Sequence, residues 1–70
     1  MTRFFFDFTS NDSTLYDYGG EQLLSHDDAY DFALATAEVL RHSQNENWSG
    51  WSVNVRDAEG KSFFSLPIGH

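Results

Sequence analysis

The chain has no cysteine, so no disulfide can staple it and no thiolate can act as metal ligand or nucleophile. Its single proline, Pro67, and five glycines leave no Pro/Gly-rich linker between domains. Cations are scarce, with four Lys and Arg against eleven Asp and Glu, a net charge of −7 with His neutral. Phosphate backbones and anionic lipid surfaces reward the opposite sign, so neither nucleic-acid nor membrane-surface binding is expected, and a basic protein partner would suit the chain better. No apolar run approaches the roughly 18 residues of a transmembrane helix, and the start Met1-Thr2-Arg3-Phe4 lacks the features of a secretory signal. The expected location is therefore the cytoplasm. Asn11-Asp12-Ser13 and Asn47-Trp48-Ser49 match the glycosylation acceptor pattern, and without a secretory signal both are read as chance matches.

Aromatic residues are plentiful, with seven Phe, three Tyr and two Trp in 70 residues. A chain of this length makes one domain, here 1–70, and buries only about 60% of its unfolded surface, so large rings compensate in part for a small core. That aromatic content also argues against disorder. The densest run is Arg3-Phe4-Phe5-Phe6-Asp7-Phe8. As a strand over 2–9 it puts Phe4, Phe6 and Phe8 on one face and Phe5 on the other, between Arg3 and Asp7. Both faces then need cover, and one helix can supply only one of them.

Thr9-Ser10-Asn11-Asp12-Ser13 is a turn cluster, followed by a short strand at Thr14-Leu15-Tyr16-Asp17-Tyr18. Gly19-Gly20 breaks that strand, and Glu21-Gln22-Leu23-Leu24 leads toward a helix. Ser25 with Asp28 reads as a capping box, with Asp27, Asp28 and Asp31 at the positive end of the helix dipole. The apolar stripe runs Ala29, Phe32, Ala33, Thr36, Ala37, Leu40, and its alanines let the axis approach a sheet. Arg41 and His42 suit the negative end, Glu38 can pair with either, and residues 43–47 form a polar exit. Trp51-Ser52-Val53-Asn54-Val55-Arg56 alternates as a strand covered on one side. Asp57-Ala58-Glu59-Gly60 is a hairpin turn, Lys61 to Leu66 returns, and Pro67 closes the strand.

The fold class that follows is α+β, a small antiparallel or mixed sheet in ββαββ order with one helix packed on one face. Phe4, Phe6, Phe8, Val53, Val55, Phe64 and Leu66 are expected to face the helix. Phe5 and Phe63 are expected on the reverse, among Arg3, Asp7, Ser52, Asn54, Arg56, Lys61 and Ser65. The first and last strands, apolar on both sides, are expected to be the central pair.

The opening Arg3-Phe4-Phe5-Phe6, the lead-in Gly20-Glu21-Gln22-Leu23, the Ala-rich helix, Gly50-Trp51, then Val53, Val55, Asp57 and Gly60 before Leu66-Pro67 span nearly the whole chain. In that order they resemble a family of short bacterial proteins of unknown function. The resemblance implies no activity, cofactor or catalytic residue.

Chemical candidates are few. Of the three histidines, His26 lies in the first helical turn, His42 in the last, and His70 at the end of the sequence. Glu38 with His42, or His26 with Asp27 and Tyr30, offers too few ligands for zinc, and a solvated helix face explains them better. Asp27, Asp28 and Asp31 act as helix caps, a setting that favours the ionised carboxylate over a general acid. Gly19-Gly20 has no following Lys or Thr of a phosphate loop, and no serine sits in a nucleophile motif. Phe5 and Phe63 beside Arg3, Arg56 and Lys61 could stack single-stranded bases, but the charge opposes it. The sequence therefore reads as a small acidic interaction module with no catalytic activity and no cofactor, expected to form a homodimer. Its expected interface is Arg3, Phe5, Asp7, Arg56, Lys61 and Phe63. The rival readings are an acidic partner that neutralises a basic protein such as a toxin or DNA-binding protein, and a weak single-stranded nucleic-acid binder.

Overall fold

A computed structural model describes residues 1–43 and 46–69. Gln44 and Asn45 of the expected polar exit, and His70, lie outside the described residues. Five strands and one helix follow in the order β1 (Thr2–Thr9), β2 (Thr14–Leu15), β3 (Glu21–Leu23), α1 (His26–Arg41), β4 (Ser52–Asp57) and β5 (Ser62–Pro67). The sheet is antiparallel throughout, with β1 and β4 in the middle, β5 outside β4, and β2 and β3 end to end along the outer side of β1. The fold is α+β, as expected.

The central pair is β1 with β4, not the first strand with the last. Phe5 and Phe63 made β5 look two-sided, but β5 is an edge strand that carries an irregularity. Val55 pairs with Phe64 while Arg56 pairs with Ser62, so Phe63 is an extra residue in a β-bulge. The bulge turns Phe63 to the helix side, where its ring meets those of Phe4 at 5.7 Å and His26 at 4.6 Å, both edge-on. The expectation of Phe63 on the reverse face is thus corrected.

β3 is a second departure, because Glu21-Gln22-Leu23 continues no helix and instead pairs with Phe4, Arg3 and Thr2. The expected second strand is correspondingly short, only Thr14 and Leu15, paired with Thr9 and Phe8. Between them the chain turns at Gly20, whose φ of 72° is left-handed. A Cβ there would lie 2.8 Å from the Phe4 carbonyl oxygen and 3.0 Å from the Phe5 ring.

α1 begins where Ser25 Oγ accepts the Asp28 amide at 3.2 Å. It buries Ala29, Ala33 and Ala37 against Phe4, Phe6, Val53 and Val55, with Phe8, Phe64 and Leu66 packed at the margin. The bare methyl groups let the helix sit close on the rings, and each fully buried ring contributes roughly 1.5 to 3 kcal/mol by transfer. Phe32 differs from expectation, lying on the flank of the stripe with 37% of its surface exposed while its ring rests 4.7 Å from that of Phe6. Ile68, beyond the proline, joins the core because its amide extends the ladder to the Trp51 carbonyl. Arg41 Nε then donates to the Ile68 carbonyl, and Nη1 pairs with Glu38 at 2.8 Å.

Candidate functional site

The reverse face of the sheet holds most of the expected interface, with its charged groups engaged within the chain. Asp7 is only 2% exposed. Arg56 Nε donates to Asp7 Oδ2 at 2.7 Å, Arg56 Nη2 to Asp7 Oδ1 at 3.4 Å, and the Asp17 amide to the same Oδ1 at 2.8 Å. The hydrogen bond to Asp7 holds the Arg56 guanidinium above its ordinary pKa, against the opposing effect of burial. Arg56 Nη2 also donates to the Asp17 carbonyl at 3.0 Å, and the guanidinium carbon lies 4.5 Å from the centre of the Phe5 ring. Arg3 donates to the Gly19 carbonyl from the other end of the same loop. Residues 16–20 are thereby tied across the face, and Phe5 is half-buried under Arg56 and Gly20 of its own chain.

Of the six residues expected at an interface, the structure brings Arg3, Phe5, Asp7 and Arg56 together and separates the other two. Lys61 sits in the β4–β5 turn, where its amide is held by the Asp57 carboxylate, and Phe63 is on the opposite face. The aromatic platform of Phe5 and Phe63 is therefore not formed. Asp7 is no exposed rim residue either, because strand pairing sets Asn54 opposite it and Arg56 reaches back to neutralise it.

Asp17 has a further task at the edge of β1. Phe4 pairs with Glu21 and Phe8 with Leu15, which leaves the outward amide of Phe6 between them without a strand partner. Asp17 Oδ2 accepts that amide at 3.2 Å, while Oδ1 accepts the amides of Gly19 and Gly20. One carboxylate thus replaces a missing stretch of strand.

The surface that does lie open is on the helix side. Between α1 and the β1–β2 edge runs a recess of about 600 Å³ lined by Phe6, Phe8, Leu15, Tyr16, Phe32 and Thr36. It adjoins a second recess of about 270 Å³ that shares Phe32 and Thr36 and continues along the helix to Val39 and Leu40. Leu15 is 52% exposed and Val39 72%. The charged side chains among the residues lining the two recesses are Asp17 and Glu21, and both are acidic. None of these trough residues was expected at a site. The available signal was the pattern of α1, in which small alanines take the centre and larger Phe32 and Val39 are left at its flank.

The metal-ligand candidates are engaged in other contacts, and among the described residues no third ligand joins them. Glu38 Oε2 lies 3.4 Å from His42 Nε2 and Oε1 is bound by Arg41, while His26 rests against the rings of Phe4 and Phe63. Among the described residues, no group of three or more His, Cys, Asp or Glu is placed to hold a metal ion. No helix among them is long and apolar enough to cross a membrane.

These features define a small α+β domain with one satisfied sheet face and one apolar trough beside its helix. A family model described as a domain of unknown function (DUF6894) matches residues 3–69, and the chain belongs to that family. Neither a curated protein nor a solved structure matches it.

Proposed function

We propose that this domain is a non-catalytic interaction module that binds its partner through the trough between α1 and the β1–β2 edge. The observation that carries the reading is the continuity of exposed apolar surface from Leu15 and Tyr16 across Phe32 to Val39. A polar-rimmed apolar strip is how binding surfaces are built. The charges of the reverse face support the same reading, since Asp7, Asp17 and Arg56 direct their hydrogen bonds to one another and to the backbone. The homodimer expected from the sequence would use this trough in place of Phe5, Asp7 and Arg56. An acidic partner of a basic protein would use the same surface, in the cytoplasm.

A photo-crosslinking amino acid placed at Leu15 or Val39 tests the reading in the native cell. Discrete adducts from these two positions, absent when the same probe replaces Lys61, are expected. Equal labelling from all three positions, or no adduct from the trough, would reject it.

A further inference from the structure

We infer that the trough receives one cationic amphipathic helix of another protein, an inference that rests on the interaction-module reading and names its partner class. Charge is the first argument. The chain carries −7, and the charged side chains lining the trough, Asp17 and Glu21, are both carboxylates. An apolar segment edged with Lys and Arg gains from that field, whereas a second copy of the same chain brings another −7 toward it.

Geometry is the second argument. Strand addition finds only short or interrupted edges on this sheet. Outside β1 the edge is made of β2, two residues long, and β3, three residues long, with the Asp17 carboxylate taking the Phe6 amide between them. On β5, the Ile68 amide points to β4, so the alternation of an antiparallel ladder aims the Pro67 nitrogen outward, where it has no hydrogen to offer. Side-chain docking in the trough therefore has more surface to work with than strand pairing. Phe32 and Val39 are seven residues apart on α1, about 10.5 Å at 1.5 Å per residue. The same distance separates positions i and i+7 of a partner helix, so anchors at i, i+3 or i+4, and i+7 would meet the trough along its length.

The test is fluorescence anisotropy of the full chain with labelled peptides, combined with sedimentation equilibrium. The probes are an amphipathic Leu/Lys helix with Leu at i, i+3, i+4 and i+7, a scrambled peptide of the same composition, and a Leu/Glu helix of the same pattern. The Leu/Lys helix is expected to bind in the micromolar range, with the other two at least about tenfold weaker. Leu15→Ser and Val39→Ser, both at exposed positions that do not threaten the core, are each expected to weaken it by about tenfold. Equal binding of the scrambled peptide, or no effect of the two substitutions, overturns the inference. A parent that sediments as a dimer which Val39→Ser dissociates also overturns it, since the occupant is then a second copy, while the interaction-module reading stands. A monomer that binds none of the peptides overturns the inference, and the crosslinking experiment alone then decides the broader reading.

Discussion

Asp7→Asn is the substitution that tests the reverse face most directly. Asp7 is buried and accepts three hydrogen bonds, two from Arg56 and one from the Asp17 amide. Asparagine keeps the shape but turns one acceptor into an NH₂ group, which would face either an Arg56 donor or the Asp17 amide. Breaking a buried pair by removing one partner costs about 3 to 5 kcal/mol when both charges are sealed from water. The Arg56 side chain keeps 23% of its exposure, so part of its hydration returns and about 2 to 4 kcal/mol is the expected loss. A chain of 70 residues is stabilised by only about 3.5 to 10 kcal/mol in total. The melting temperature should therefore fall by roughly 10 to 30 °C, at about 4 to 8 °C per kcal/mol for a domain this small.

Thermal unfolding followed by circular dichroism measures this loss, and a double-mutant cycle with Arg56→Met assigns it. If the two groups act as a pair, the double variant loses less than the sum of the single losses, by about 1 to 3 kcal/mol. Losses that add within about 0.5 kcal/mol, or an Asp7→Asn variant that melts within about 3 °C of the parent, would refute the reasoning.

Three further outcomes are expected. The raised pKa of Arg56, set first by its hydrogen bond to Asp7, means that its contribution is fully present below the unfolded-state value and is lost only as pH rises through the higher folded one. The melting difference between the parent and Arg56→Met should therefore stay level from about pH 7 to pH 10, and a difference that shrinks across that range would contradict the pairing. Asp17→Ala should cost about 1 to 3 kcal/mol by leaving the Phe6, Gly19 and Gly20 amides unserved. Its signature is faster hydrogen exchange at the Phe6 amide, and unchanged protection there would show that Asp17 does not seal the edge. Gly20→Ala should destabilise by at least about 1 to 2 kcal/mol, from the left-handed backbone and the close Phe4 carbonyl, and a parent-like melting temperature would refute that packing.

The parts of the fold legible in the sequence were those governed by local chemistry. Ser25 with its acidic first turn started the helix, the alternation of Val53 and Val55 marked β4, and Gly60 closed the hairpin with a φ of 90°. What escaped depends on contacts between distant residues. β3 has no strand-like composition and exists because β1 offers it an edge. The bulge at Phe63 is a mismatch between two strands, visible in neither alone, and it reverses the face on which a ring lies. Phe5 needed cover, as its position implied, but the cover came from Arg56, 51 residues further along the sequence and directly opposite in the sheet. The trough escaped for the same reason, since it depends on which side chains of α1 overhang the sheet edge and not on rings along a strand.

The two sheet edges show how association is confined. An exposed edge strand is a template for indiscriminate pairing, and this chain blunts each edge by a different device. Outside β1 the edge strands are only two and three residues long with an acidic side chain filling the gap between them, and on β5 the bulge at Phe63 and the outward Pro67 interrupt the row of donors. The Asp17 carboxylate buries no apolar surface, so core stability does not explain it, whereas the bulge also brings the Phe63 ring onto the core. With the edges short or interrupted and the reverse face tied down by Asp7, Arg56 and the 16–20 loop, the apolar trough is the surface where contact is least opposed. Recognition at the proposed trough would act through side chains, selective by shape and, through the Asp17 and Glu21 carboxylates, by charge.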